Sequence, residues 1–369
     1  MKIRENVYSV RAVDGEIRVF HGYRTPVGTT YNAYLVLDGE TTLVDSVKPP
    51  FAGGFMEHLK EILGDGKIDN FICNHTEPDH SGALPALAAA YPEMKILGTA
   101  NCKKGLDAYY PGVAKRFTTV KKGDSLTTGR YTFRFYPVPM IHWPDSMTTY
   151  LEQERILFSN DAFGQHIGTG ETFDREIPSG GLLERAGDYY ANIVMPYGIQ
   201  VASALATLSE LDIATVCPSH GLIVERYLPQ VLDGYSRWCR NQTDPDRAVI
   251  IFDTMWGATR KLAQRLGDEF GGAGISYEII DLSEKHISYA MARLLEARHV
   301  CVGSPTLNNR MMPTVSAFVS YMCGLKPKNR IGRAFGAYGW SGESVGLIDD
   351  ALKNLGFETA EPVKVMWNA

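Results

Sequence analysis

The period of the apolar positions changes near residue 245. Before it, short strand-like runs are broken by polar turns. Residues 30–46 (TYNAYLVLDGETTLVDS) read as two strands about an Asp-Gly turn, and 69–74 (DNFICN) as a short strand. Residues 82–92 read as helix, 130–141 (RYTFRFYPVPMI) alternate with period two, 155–161 repeat that pattern, and 213–221 (IATVCPSHG) form an apolar run ending in turn residues. This mixture predicts sheets packed together with helices outside. The polar, turn-rich segment 237–247 (RWCRNQTDPDR) places a boundary that divides 1–245 from 246–369. Beyond it, strands at 248–253, 276–282, 299–304 and 332–339 alternate with helices at 259–270, 287–296, after Pro313 and from about Ser344. That alternation predicts a parallel, doubly wound sheet. The fold class is therefore two-domain, mixed α/β and α+β followed by α/β.

The strands of the first domain share a feature at their ends. The run at 69–74 leads into His75, that at 130–141 into His142, that at 155–160 into Asp161, and that at 213–218 into His220. Loops at one edge of a packed sheet are where ligands converge. The first of these loops, HTEPDH, adds Glu77, Asp79 and His80. A histidine before a turn is ordinarily a packed or solvated residue. Four strand ends that each deliver an imidazole or a carboxylate favour a metal centre. In an extended loop, positions i, i+2 and i+4 face one side, so Asp79 and His80 are expected to face different sides. The cluster then serves two ions, with Asp161 able to bridge them. A nitrogen and oxygen set suits iron or manganese, and zinc accepts it too. His21, His58, His166, His286 and His299 lie outside the set, with His21 and His166 the two that can approach it.

The second domain offers three loops after successive strands. DTMWGATR supplies Thr254, Met255, Trp256, Gly257, Ala258 and Thr259 ahead of a helix. Its amides and hydroxyls suit a phosphate at a helix N-terminus. SPTLNN supplies Ser304, Pro305, Thr306, Leu307, Asn308 and Asn309, and AYGWSGE supplies Ala337, Tyr338, Gly339, Trp340, Ser341 and Gly342. Neither G-x-G-x-x-G nor a P-loop motif is present, which argues against a dinucleotide or nucleotide. Aromatic side chains beside a phosphate site suit FMN, which lies over these strand ends in flavodoxin-like sheets.

Composition narrows the partners. The chain of 369 residues has a net charge of −5 and no basic run, which argues against nucleic acid. The N-terminus shows no signal-peptide core, and no uncharged apolar run approaches a membrane span. The six cysteines are scattered, with no C-x-x-C pair, which argues against a disulfide framework or an attached rubredoxin or iron–sulfur module. The reading is a reducing cytoplasm.

HTEPDH, His142 in IHWPDS, Asp161 in SNDAFG and His220 in PSHG resemble, in order and spacing, the flavodiiron proteins, also called A-type flavoproteins. GTTYNAYLV and YYANI look like segments of the same family, and the resemblance covers essentially the whole chain. It implies a metallo-β-lactamase-like αββα sandwich followed by a flavodoxin-like domain. One iron would take His75, Glu77 and His142, the other Asp79, His80 and His220, with Asp161 bridging. It implies reduction of O2 to water, of NO to N2O, or both. Reduced FMN and two ferrous ions together hold the four electrons one O2 needs, and two NO need only two. Tyr190 and His21 are candidates for supplying protons beside the irons. The resemblance further implies a head-to-tail homodimer, with a dimer of dimers as a higher order, and an external donor, rubredoxin or reduced F420. It also implies a helix after the fifth strand, before which this chain stops.

The rival reading is a zinc hydrolase of the same superfold with an accessory flavodoxin domain. Such hydrolases resemble H-x-H-x-D-H, and Glu77 replaces their second histidine here. A carboxylate at that position favours ferric iron and redox chemistry. A second rival is an electron carrier in which FMN works alone, and the complete ligand set argues against it.

Overall fold

The computed structural model describes residues 1–367 and contains two compact units. The first comprises residues 1–18, 25–186 and 199–233; the second comprises 19–24, 187–198 and the chain from 234 onward.

Two sheets build the first unit. A seven-stranded sheet has the order Lys2–Arg4, Val7–Asp14, Thr29–Val36, Thr42–Val44, Asn70–Ile72, Lys95–Gly98, Phe117–Thr119. A five-stranded sheet has the order Ser125–Thr127, Thr132–Pro137, Met147–Leu151, Ile156–Asn160, Thr215–Pro218. Side chains from both form one core: Tyr34, Val44 and Ile72 from the first meet Phe133, Phe135, Leu151 and Phe158 from the second. Each such side chain, fully buried, contributes about 1.5–3 kcal/mol, so the two inner faces stabilise each other strongly. Thr29–Val36 is buried at every position, and so are Met147–Leu151 and Ile156–Asn160. Met147–Leu151 also buries the polar Thr148 and Thr149, so neither an apolar run nor an alternation marks it in the sequence.

The sheet of the second unit is parallel, with the order Ser276–Asp281, Asp244–Phe252, Ala297–Gly303, Ile331–Tyr338 and then Glu358–Thr359, while Val363–Met366 also pairs with Ile331–Tyr338. This 2-1-3-4-5 order is the flavodoxin-like one. Helix Ala258–Gly272 buries Leu262, Ala263 and Leu266 against it. Gly336 permits the closest strand contact: a Cβ there would lie 2.0 Å from the Ser304 carbonyl oxygen. That approach brings two of the cofactor loops together.

The helical run 179–208 is long and apolar enough, by length and composition, to cross a membrane, although 39% of an apolar 18-residue stretch of it is buried within the protein and buried helices of globular proteins pass the same test. It is interrupted by a π turn, Tyr190–Val194, and by a 3-10 turn, Met195–Tyr197, that contains Pro196.

Candidate metal centre and flavin site

Strand direction places the ligands. Thr132–Pro137 and Ile156–Asn160 each run antiparallel to Met147–Leu151, and Ile156–Asn160 runs parallel to Thr215–Pro218. The three strands that precede His142, Asp161 and His220 therefore point the same way. Asn70–Ile72, in the other sheet, runs into His75.

The seven residues form two groups. His75, Glu77, His142 and Asp161 make one, Asp79, His80 and His220 the other, and in each group the ligand atoms lie within 4.8 Å of one another. Asp161 is shared by both. Its Oδ2 lies 3.6 Å from His75 Nε2 and 3.3 Å from His142 Nε2, while its Oδ1 lies 3.0 Å from His80 Nε2 and 3.6 Å from His220 Nε2. Glu77 Oε2 is 3.2 Å from His142 Nε2, and Asp79 Oδ2 is 3.2 Å from His220 Nε2. Asp79 and His80 fall in one group, contrary to the expectation for an extended loop. Pro78 starts a helical turn, Pro78–Ser81, and neighbours on a helical turn do not alternate sides as they do on a strand.

The donor set fits metal ions. Both oxygens of Asp79 and of Asp161, and both nitrogens of His80, are buried and make no hydrogen bond of acceptable geometry. Burial pulls the His80 imidazole down, but Asp79 and Asp161 outweigh it and hold it up at about 9. The same contest, with Asp161 and Glu77 as partners, holds His142 up at about 9. Burial pushes Asp161 up, yet His80 and His142 hold it well below the usual carboxylate range. Such lone pairs, gathered around one buried space, are what cations displace protons from.

Residues outside the ligand set orient it. His75 Nδ1 lies 3.0 Å from Asp145 Oδ2, and His220 Nδ1 donates to the Thr30 carbonyl at 2.7 Å. Asp45 accepts from Asn74 N at 2.8 Å and from the side-chain amides of Asn74 and Asn160, both at 3.2 Å; Asn160 also donates to Ser219 Oγ at 3.0 Å. Asn74, Asn160 and Ser219 immediately precede His75, Asp161 and His220. Asp45 and Asp145 were not identified from the sequence; their only signal there is a carboxylate close to a strand end that no turn requires.

In the second unit a cavity of about 710 Å³ is lined by Thr254, Met255, Trp256, Ala258, Thr259, Pro305, Thr306, Leu307, Asn308, Asn309, Ala337, Tyr338, Gly339, Trp340, Ser341 and Trp367. That volume is in the range of small-molecule and cofactor sites. Trp367 is the lining residue the sequence reading lacked. Gly257, Ser304 and Gly342 shape the loops instead of lining the cavity. Gly257 and Gly342 adopt φ of 82° and 78° at the residues that cap the following helices, and Ser304 Oγ accepts from Met312 N at 2.8 Å. The Thr259 hydroxyl is fully buried without a hydrogen-bond partner at the N-terminus of helix Ala258–Gly272, a fitting donor for a phosphate. Trp256, Trp340 and Trp367 are 91%, 84% and 68% exposed at the rim, which suits a planar ring stacking on them.

Residues 29–221 match the ODP family beta lactamase, and residues 250–369 match flavodoxin. The nitric oxide reductase of Moorella thermoacetica is 41% identical over 98% of this chain and 91% of its own length. The rubredoxin-oxygen oxidoreductase of Megalodesulfovibrio gigas is 39% identical over 99% of this chain and 92% of its own. The crystal structure of the flavodiiron protein from Giardia intestinalis superposes with a TM-score of 0.97 at 30% identity, covering 100% of this chain and 91% of that one. The chain belongs to the flavodiiron family. It is an oxidoreductase whose cofactors are FMN and a non-haem diiron pair. The hydrolase reading falls, since relatives that span both domains are named as reductases and oxidoreductases.

Other residues singled out from the flavodiiron sequence lie as follows. His166 packs edge-on against His220 at 4.7 Å between centroids, with its Nδ1 2.6 Å from Thr29 Oγ1. It therefore adjoins the metal groups, as its sequence position allowed. His21 sits between the two short strands Val19–Phe20 and Tyr23–Arg24 of the second unit, its ring 4.2 Å from that of Phe20. Tyr190 also belongs to the second unit and packs on Tyr235 and Trp238 at 5.2 and 5.4 Å between ring centroids. Its hydroxyl is buried and makes no hydrogen bond.

Proposed function

We propose that this chain reduces O2 to water, NO to N2O, or both, at an iron pair held by seven residues. His75, Glu77 and His142 hold one ion, Asp79, His80 and His220 the other, and Asp161 bridges. The observation that carries this reading is the division of Asp161: one oxygen faces the first pair of histidines and the other faces the second. Held by these residues, the irons would supply Lewis-acid and redox chemistry toward the gas, and the flavin would supply electrons. Glu77 and Asp79 would give each ion one carboxylate of its own, a hard oxygen donor that suits iron. Trp143, edge-on to His75 at 5.0 Å between centroids, screens that imidazole on one side.

Residues 1–245 carry the iron chemistry and 246–369 the flavin. Metal groups and flavin cavity belong to different units, which supports a head-to-tail homodimer, and pairs of dimers in turn, in which one chain's FMN serves its partner's irons. Rubredoxin or reduced F420 is the external donor. The Megalodesulfovibrio relative is named for rubredoxin. All six cysteines are free and five are buried, in keeping with a reducing cytoplasm. Tyr190 and His21 are the candidate groups for supplying protons.

The deciding experiment is anaerobic stopped-flow of the fully reduced protein, mixed separately with O2 and with NO. Reoxidation of flavin and metal together by at least one gas is expected. Flavin oxidation with the metal bands unchanged would refute the diiron reading and leave an FMN carrier.

A further inference from the structure

The two metal positions are matched in donors. Each has two imidazoles, one carboxylate of its own and one oxygen of Asp161. They differ in what stands behind the imidazoles. His75 Nδ1 is 3.0 Å from Asp145 Oδ2, and that oxygen also accepts from Thr76 N at 2.7 Å and Thr76 Oγ1 at 2.9 Å. Asp145 is 4% exposed, and these donors fix its carboxylate in place. With Nδ1–H held by Asp145, the His75 tautomer presents the Nε2 lone pair toward Glu77 and Asp161. Across the bridge, His220 Nδ1 meets a neutral backbone carbonyl, Thr30 O, at 2.7 Å. His80 Nδ1 is buried and makes no hydrogen bond.

A carboxylate acceptor behind an imidazole raises its basicity toward a metal, and losing such a partner typically costs about 10–100-fold in metal affinity. From this asymmetry, which presumes the diiron reading above, we propose that Asp145 is a positioning residue that makes the His75–Glu77–His142 position the tighter of the two. The ion there binds first and leaves last.

The test uses the full-length, FMN-loaded protein stripped of metal and titrated anaerobically with Co(II), read by visible ligand-field absorption against a competing chelator. Wild type should take up two ions in resolved phases, with affinities separated by roughly tenfold or more. The tight phase should persist in His220→Ala and vanish in His142→Ala. Asp145→Asn, which removes the charge and keeps the shape, should weaken the tight phase by about 10–100-fold and leave the weak phase unchanged. Two equal phases in wild type would overturn the inference. So would a tight phase that follows His220, or an Asp145→Asn protein in which both phases weaken alike. An Asp145→Asn chain that fails to fold, judged by circular dichroism, overturns it too, because Asp145 would then be a structural group. Wild type that binds a single ion sinks the diiron reading itself, a separate and recognisable failure.

Discussion

Asp45 is the residue whose removal should cost the metal unit most without touching a ligand. It is 2% exposed and accepts three hydrogen bonds, from Asn74 N and from the amides of Asn74 and Asn160. Asn74 is braced in turn by Thr149 Oγ1, which donates to its Oδ1 at 2.7 Å. Asp45→Ala leaves three donors facing a small void. Each unsatisfied buried donor costs about 1–3 kcal/mol, partly relieved when water enters. Asp45 also sits at φ 58°, in the left-handed region, where an alanine adds roughly 1 kcal/mol. The sum is roughly 4–6 kcal/mol for Asp45→Ala. Asp45→Asn tolerates the backbone and keeps the bond from Asn74 N, so it should cost about half as much. In a unit of this size 1 kcal/mol moves the melting temperature by about 2–4 °C, so Asp45→Ala should melt roughly 10–20 °C lower. Calorimetry of the metal-free and metal-loaded forms, with iron analysis, checks both the shift and an expected loss of iron.

The same residue gives a signed pH dependence. Burial pushes the Asp45 carboxyl up to about 6, against the pull of His80 and the bonded amides. Its folded pKa then exceeds the ordinary value of about 3.9, so the folded state holds its proton more firmly. The stability it contributes is full below about 4 and lost as pH rises through about 6. Asp45→Asn has nothing to ionise, so the wild-type-minus-variant difference should fall across that window. An Asp45→Ala protein that melts within about 4 °C of wild type and keeps its full iron would refute the reasoning.

Three further outcomes follow from single side chains. Thr259→Val removes a buried hydroxyl that has no partner within the protein, so flavin-free stability should hold while FMN affinity falls about tenfold by fluorescence titration; unchanged affinity would remove Thr259 from the phosphate site. Tyr190→Phe deletes another buried, unbonded hydroxyl and should leave stability equal or up to about 1 kcal/mol higher by chemical denaturation; a large drop in gas turnover would support its role as a proton source. Glu77→His converts the loop to H-x-H-x-D-H, so protein grown with both metals should shift from iron toward zinc by elemental analysis, and an unchanged ratio would show that Glu77 does not select the metal.

Much of the architecture was legible because it follows from short-range pattern. The parallel sheet of the second unit announced itself through apolar strands separated by amphipathic helices, and Asp244–Phe252, Ala297–Gly303 and Ile331–Tyr338 lie where the pattern put them. Four of the candidate ligands, His75, His142, Asp161 and His220, were visible because each follows an apolar run, and Glu77, Asp79 and His80 because they crowd the loop that His75 opens. Other parts lacked any local signal. Met147–Leu151 buries two threonines among its apolar residues, so it shows neither an apolar run nor an alternation, and Lys2–Arg4, Phe117–Thr119 and Ser125–Thr127 are too short to carry a period. The grouping of Asp79 with His80 depends on a four-residue helical turn begun by Pro78. Asp45 and Asp145 act through partners 29 to 115 positions away, at Asn74, Asn160 and His75, and no reading of neighbours along the chain can reveal that.

The outer carboxylates also bear on why so many charges are tolerated inside one unit. Glu77, Asp79, Asp161 and Asp145 are all buried, each at most 8% exposed. An unpaired carboxylate in such surroundings is expensive, and these four would repel one another at short range. Together they carry four negative charges, and Asp45 adds a fifth above about pH 6, so two divalent ions offset most of the buried charge. The candidate ligands in each group come from both sheets: His75, Glu77, Asp79 and His80 follow the strand Asn70–Ile72, while His142, Asp161 and His220 follow strands of the other sheet. Filling the centre with divalent ions therefore offsets most of that charge and ties the two halves of the sandwich together at one edge. On this reading Glu77 hardens the donor set toward iron, and the buried carboxylates as a group make the site one that divalent ions stabilise.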